Sequence, residues 1–266
     1  MPIVTSSDGT AIAYDHVGSG PAVIVVDGAF AHRAINPTSA RLAQLLAPEF
    51  TVYRYDRRGR GESGDAPAYA IEREVEDMQA IIAAAGGAAF VLGGSAGAAL
   101  ALDVAAHTPA ITRLAVYEPP FIVDASRPPV GADYPARLAD LVAAGRRGDA
   151  VALFFTEAVR LPASDVAAMR GGPFWGEIER VAATLRYDAA IMAGMMRGAP
   201  LPAARWAAVS QPTLVLNGGA GAGFMAAGAD ALAAILPHAQ RRTLPGQTHD
   251  VAAEALAPVL AEFFSG

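Results

Sequence analysis

The 266-residue chain has no cysteine and no lysine. The first absence excludes disulfides and thiolate chemistry, and it leaves redox usage silent about compartment. The second makes all 20 basic residues arginine. With the abundance of alanine, it reads as the compositional bias of a GC-rich genome rather than as function. Long apolar runs are also missing: Gly, Pro or charge interrupts each one, so no segment resembles a membrane span. Met1-Pro2-Ile3-Val4-Thr5 lacks a basic region followed by an apolar stretch, so no export signal is expected and the cytoplasm is the default location. Positive charge is not in excess either. A net charge of −6 argues against nucleic acid or an anionic membrane as partner and leaves a small-molecule substrate as the expected one.

Hydrophobic residues make up 53% of the chain. At this length they suit one α/β domain with an insertion better than two domains. Short β-rich apolar runs alternate with longer alanine-rich periodic ones. The pattern predicts strands at 22–26, 51–55, 89–92, 113–117, 213–217 and 241–244, and helices at 39–46, 71–85, 96–106, 225–236 and 253–264. Several strands are apolar on both faces, as in a mostly parallel sheet with helices on both faces. Residues 3–5 and 11–15, around Asp8-Gly9, predict an antiparallel hairpin at one edge. The alternation stops between Pro119 and Ala208. That stretch opens on Pro119, Pro120, Pro128 and Pro129, breaks at Gly171-Gly172-Pro173 and Gly198-Ala199-Pro200, and is otherwise helical. The expected organisation is a core of residues 1–118 and 209–266 with a helical cap, 119–208, across the C-terminal ends of the strands.

The most informative segment is Phe90-Val91-Leu92-Gly93-Gly94-Ser95-Ala96-Gly97. It is Gly-x-Ser-x-Gly between an apolar strand and a small-residue helix. Such a turn strains the serine backbone, and Gly93 and Gly97 supply room where chain segments nearly touch. Ser95 is then presented at a helix N-terminus, where backbone N–H groups point toward a developing oxyanion. The alternative is a glycine-rich turn with a capping serine.

A serine nucleophile needs a base, and the base an orienting acid. Of the five histidines, His249 lies between the last strand and the last helix, in a loop facing the same crevice as Ser95. His32, after the third strand, ranks second as base. His16, His107 and His238 read as solvated or capping residues.

These features resemble the α/β-hydrolase family across essentially the whole chain. Val26-Asp27-Gly28-Ala29 stands where that family has His-Gly-x. Asp56-Arg57-Arg58-Gly59-Arg60-Gly61-Glu62-Ser63 matches its common Asp-x-Arg-Gly-x-Gly-x-Ser loop, read here as a structural turn braced by Asp56 and the arginines. The elbow at Ser95, the helical cap and Pro245-Gly246-Gln247-Thr248-His249 complete the match. The resemblance implies an oxyanion hole made by the backbone N–H groups of Ala29 and Ala96. The chain departs from the family in its acid. The loop Asn217-Gly218-Gly219-Ala220-Gly221-Ala222-Gly223, where most members carry Asp, holds no carboxylate. Glu118, at the end of the strand after the Ser95 helix, is the expected substitute. Several haloalkane dehalogenases and the zearalenone-lactonase-like branch take their acid from this place, and the latter is the closer resemblance. The alternative for Glu118 is a carboxylate bonded to backbone amides at the cap entrance, and Asp250 is expected to cap the final helix.

The cap is rich in aromatic and methionine side chains. With Phe30, which follows Ala29, the residues Phe154, Trp175 and Met192 are expected to contact substrate. No charged cluster points to a phosphate, CoA or sugar-acid site, and no dinucleotide loop or metal-ligand set is present. No cofactor or metal is therefore expected, and the substrate is expected to be neutral and fairly hydrophobic. The leading expectation is a serine hydrolase of a carboxylic ester or lactone using Ser95, His249 and Glu118. The alternatives are other chemistry on the same scaffold (C–C hydrolysis, acyl transfer or cyclisation) and a non-catalytic ligand-binding protein.

Overall fold

Ala-Val-Ile-Val-Val at 22–26 shows how this sequence builds a two-sided core. In the computed structural model, which describes residues 2–266, all five residues of β3 (Ala22–Val26) are buried. Met1 lies outside the described residues. Ile24 and Val26 point to the face covered by α2 (Ile71–Ala84), α3 (Ala96–His107) and α9 (Gly223–Ile235). Val23 and Val25 point to the other, covered by α1 (Pro37–Leu46) and α10 (Ala253–Ser265). A strand buried on both sides has no polar alternation to display.

The other strands are β1 (Ile3–Thr5), β2 (Ala11–Val17), β4 (Thr51–Tyr55), β5 (Ala89–Gly94), β6 (Ile111–Tyr117), β7 (Thr213–Gly218) and β8 (Ala239–Leu244). The eight form one sheet in the order β1-β2-β4-β3-β5-β6-β7-β8. The pairs β1/β2 and β2/β4 are antiparallel and the remaining pairs parallel. The mostly parallel sheet with helices on both faces, and the antiparallel hairpin at its edge, are as the sequence pattern predicts.

Boundaries differ where a local signal is weak. α1 starts two residues before its apolar stripe, because Asn36 caps it by accepting from the Ser39 N–H at 3.0 Å and Pro37 opens its first turn. β5 runs on through Gly93 and Gly94, which pair with Val116 and Tyr117. β8 is an edge strand with exposed polar side chains, so its first half carries no apolar signal.

Between β6 and β7 the described residues contain helices and one isolated bridge, Ile122 with Met196. The helices are α4 (Tyr134–Ala143), α5 (Arg147–Leu153), α6 (Ala163–Met169), α7 (Trp175–Arg180) and α8 (Leu185–Ile191), with a π-helical turn at Phe154–Val159. This insertion has its own apolar cluster, built on Leu138, Val151 and Leu185. Gly171-Gly172-Pro173 separates α6 from α7, where the sequence places a break.

Ser95 joins β5 to α3 with φ 55° and ψ −128°, a region that β-carbon-bearing residues rarely occupy. The turn closes because α3 begins in contact with the end of β3. A β-carbon on Gly97 would stand 2.3 Å from the carbonyl oxygen of Val26. A Gly→Ala change inside a helix is ordinarily favourable by about 1 kcal/mol. Here overpacking reverses the sign: Gly97→Ala is expected to cost about 1–3 kcal/mol and to lower Tm by about 3–10 °C in a thermal melt. An unchanged or raised Tm would show that α3 can move away from β3.

Candidate functional site

Parallel registers bring distant residues to one edge. Val26 ends β3 opposite Gly93, and Gly94 pairs with Tyr117. Gly28, Ser95 and Glu118 therefore leave the sheet at about the same level. Tyr117 also pairs with Leu216, and Gly218 with Leu244. The Asn217–Gly223 loop and the loop carrying His249 open at that edge too. Close approach follows, since a β-carbon on Gly28 would lie 2.9 Å from Cβ of Ser95.

The structure brings Ser95, His249 and Glu118 into one hydrogen-bonded line. His249 Nδ1 is 2.8 Å from Glu118 Oε2, and its Nε2 is 3.2 Å from Ser95 Oγ. An ionised carboxylate only accepts, so Nδ1 carries the proton and Nε2 of the neutral ring is free to accept from the serine hydroxyl. Glu118 is fully buried, with φ +43°. Its second oxygen, Oε1, accepts from the Gly218 N–H at 2.8 Å. Glu118 thus faces a histidine ring and accepts from a backbone amide at the end of β7, not from one at the entrance to the insertion. His249 is part exposed, and Tyr117 braces its loop by donating from the phenol to the Thr248 carbonyl.

The Asp27–Ala31 loop beside Ser95 is held from below by a cluster of buried charges. Arg57 forms two 2.7 Å bonds to Glu74 and one of 2.8 Å to Asp188. It also donates to the Asp27 carbonyl. Arg60 donates to the Gly28 and Ala31 carbonyls and pairs with Asp188 at 2.7 Å. Asp188 lies on α8, so the insertion and the loop share one buried carboxylate. Arg58 pairs with Asp77 and Asp8. Asp56 accepts from the Glu62 and Arg33 N–H groups, which makes the arginine-rich loop a braced turn. Among the described residues the Asp27 carboxylate forms no ion pair, and it accepts from the Asn36 side chain at 2.8 Å. Burial pushes its carboxyl up to about 6 against the pull of Arg60, the Asn36 bond and the other arginines.

Ser95, Ala29, Ala96 and His249 line a cavity of about 710 Å³, lined from the insertion by Tyr134, Phe154, Phe155, Met192 and Met196. Phe30, with φ +62°, meets Phe154 edge-on at 5.0 Å and stacks on Phe155 at 5.6 Å. Of the four residues expected to contact substrate, Phe30, Phe154 and Met192 line this cavity. Trp175 does not. It is buried in the insertion's own core, with its indole N–H donating to Glu179 at 2.6 Å. Two other expectations are corrected. His32 opens onto a separate polar depression with Asp15, Arg33 and Arg54, away from Ser95. Asp250 does not cap α10, whose N-cap is Ala252 with its N–H bonded to the Gln247 side chain. The cavity is also not free of charge, since Arg127 lines it.

Among the described residues no group of three or more His, Asp or Glu is arranged to hold a metal ion. No helix among them is long and apolar enough to cross a membrane.

Sheet order, the strained turn at Ser95 and the helical insertion before β7 define the class as an α/β-hydrolase fold. The sequence profile of the alpha/beta hydrolase family matches residues 18–262, and the chain belongs to that family. It is 55% identical to an alpha/beta hydrolase from Sphaerobacter thermophilus DSM 20745, over 99% of this chain and 100% of that one, with a TM-score of 0.90. A thermophilic esterase from Thermogutta terrifontis is 22% identical over 99% and 97% of the two chains, with a TM-score of 0.72. The enol-lactonase of Burkholderia xenovorans LB400 is 20% identical over the full length of both, with a TM-score of 0.70. At that identity these two share the fold. No curated protein matches the chain significantly.

The raised carboxyl of Asp27 fixes the sign of a pH effect. Its buried ionised form costs stability above about pH 6, and the cost fades as pH falls toward the ordinary aspartate value of 3.8. Asp27→Asn is therefore expected to raise Tm at pH 7.5 and to lose that advantage by pH 4. A gain that grew on acidification would show that the carboxylate is better stabilised than its burial implies.

Proposed function

We propose that the chain is a serine hydrolase that cleaves a carboxylic ester or lactone through a Ser95–His249–Glu118 triad. The observation that carries this reading is the unbroken hydrogen-bonded line from Ser95 Oγ, which lines the cavity, to the fully buried carboxylate of Glu118. Ser95 Oγ attacks the carbonyl carbon while His249 Nε2 takes its proton. Glu118 holds the ring in the productive tautomer and stabilises the imidazolium. The backbone N–H groups of Ala29 and Ala96 receive the oxyanion, at a loop pinned through its carbonyls by Arg57 and Arg60. The imidazolium returns its proton to the leaving alkoxide. Water, activated by the same histidine, then hydrolyses the acyl-enzyme.

Residues 119–208 serve as the cap in this reading. Their aromatic and thioether side chains over Ser95 favour a substrate with an apolar body. A glutamate at the end of β6 in place of an acid after β7 is the arrangement of the zearalenone-lactonase-like branch, which makes lactones a substrate class to include.

Ser95→Ala and His249→Ala are each expected to abolish hydrolysis of an aryl ester panel and labelling by a fluorophosphonate probe. Glu118→Gln should lower kcat by about 10²–10⁴ with KM little changed, because the amide keeps the shape and loses the charge. Full activity in purified Ser95→Ala would remove the nucleophile, and wild-type kcat in Glu118→Gln would remove the acid.

The two cap aromatics should separate. Phe154→Ala is expected to shift the preference between short and bulky acyl groups. Trp175→Ala, which empties a core position, should cost about 3–5 kcal/mol in a melt with the preference retained. A specificity change on Trp175→Ala, with Phe154→Ala silent, would reverse the assignment.

A further inference from the structure

Arg127 is the sole arginine lining the cavity that holds Ser95, and among the described residues it has no carboxylate partner. The fully buried arginines each have one or more. Arg57 has Glu74 and Asp188, Arg58 has Asp77 and Asp8, and Arg60 has Asp188. Of the half-buried arginines, Arg33, Arg54 and Arg205 are paired in the same way, while Arg113 and Arg186 lie outside the cavity, each held by one hydrogen bond and an aromatic ring. A half-buried guanidinium that lines a substrate-sized cavity without a counter-ion is stabilised when a ligand brings the opposite charge.

The cavity's own carboxylates cannot do so. Asp188 is shared by two arginines. Asp27 is bonded to Asn36, and Asp250 stands exposed next to His249. On the insertion, Asp133 and Glu157 both pair with Arg137. The one charged neighbour that acts on Arg127 is another cation, Arg160, whose guanidinium bonds the Pro129 carbonyl. Burial and Arg160 together hold the guanidinium below its ordinary basicity.

The group is nonetheless held in place. Its Cζ lies over the Phe224 ring, 4.4 Å from the centroid, and Nη2 donates to the Ala158 carbonyl at 2.5 Å. Nε and Nη1 have no partner among the described residues. A fork fixed by stacking, with unused donors, matches the two oxygens of a carboxylate.

We propose that Arg127 binds a carboxylate carried by the substrate on the part that is not cleaved, so that the preferred ester or lactone has an apolar body ending in one anionic group. The inference rests on the reading that Ser95 cleaves an acyl bond in this cavity, and it replaces the expectation of a neutral substrate. A monoanion fits better than a phosphate dianion, because a single guanidinium with apolar neighbours would leave the second charge buried and unpaired.

The test compares p-nitrophenyl hydrogen suberate with p-nitrophenyl octanoate, which have acyl chains of equal length and differ in the terminal carboxylate. In Arg127→Gln the ratio of kcat/KM for suberate over octanoate should fall by about 10- to 100-fold, mostly through KM, the range of a charge-assisted hydrogen bond. Arg127→Lys should fall in between, since it keeps the charge and loses the fork. A ratio that does not move overturns the proposal and leaves Arg127 a brace between Phe224 and Ala158.

Binding of monomethyl suberate to Ser95→Ala protein, measured by calorimetry, reads the same contact without turnover. It should exceed binding of methyl octanoate and weaken when Arg127→Gln is added. Equal or weaker binding of the acid overturns the proposal even if Arg127→Gln fails to fold. If Ser95→Ala still hydrolyses the octanoate ester, the proposed nucleophile fails, and the calorimetric comparison continues to judge Arg127 alone.

Discussion

The contact between Gly97 and the Val26 carbonyl holds the start of α3 against the end of β3, and the conformation of Ser95 depends on that contact. A serine at φ 55° and ψ −128° lies in a sparsely populated region that costs on the order of 1–3 kcal/mol, and it persists only where its surroundings over-determine it. Here three neighbours do so. The Ser95 N–H is bonded to the Tyr117 carbonyl, α3 is pressed onto the end of β3, and Gly28 lies against the serine's own side chain. The same packing sets the rest of the site. Glu118 follows Tyr117, the loop with Ala29 follows Val26, and the β7–β8 register brings His249 alongside.

A second layer of order comes from buried charge. Apart from the line through His249 and Ser95, the neighbourhood is organised by arginine forks bonded to carboxylates and to backbone carbonyls. In low dielectric such bonds are strong when complete and costly when broken. The carbonyl contacts of Arg57 and Arg60 lie on the Asp27–Ala31 loop, so rigidity is concentrated beside Ser95, around the N–H of Ala29 that the proposed mechanism uses. Stacking of Tyr69 on Tyr187 at 3.9 Å, and the bond from Tyr187 to Asp65, tie α8 to the same region.

The fold was legible because its signals are local and strong. The apolar run 22–26 can only be buried on both faces, and Gly-Gly-Ser-Ala-Gly between an apolar run and a small-residue helix has few other uses. Glu118 was legible by elimination, through the carboxylate-free loop Asn217–Gly223, although its second bond to the Gly218 N–H was not. What escaped reading depends on which way a side chain faces. Trp175 sits on a helix of six residues, too short for periodicity to show which face is inward. His32 follows a strand that ends at the correct edge, yet its ring turns to the far side of the Asp27–Ala31 loop. Arg127 stands in a proline-rich stretch with no period at all, and its lack of a partner is a fact of three dimensions. Asp188 reads as one more polar residue on a helix, and nothing along the chain announces that two arginines 131 and 128 residues away converge on it.

Asp188 also bears on how freely this insertion can be exchanged. Caps on a common core are naturally regarded as interchangeable parts, with the core indifferent to what sits above it. In this protein the core is not indifferent. Removing α8 would leave Arg60 without its ion-pair partner and Arg57 with Glu74 alone, directly beneath the loop next to Ser95. A graft from a relative would have to present a carboxylate at this one point, whatever else it changed. Recombination between family members would therefore have to keep the polar contacts by which this insertion meets the core, those of Asp188 with Arg57 and Arg60 and of Tyr187 with Asp65 among them, while the aromatic lining of the cavity carries no such constraint.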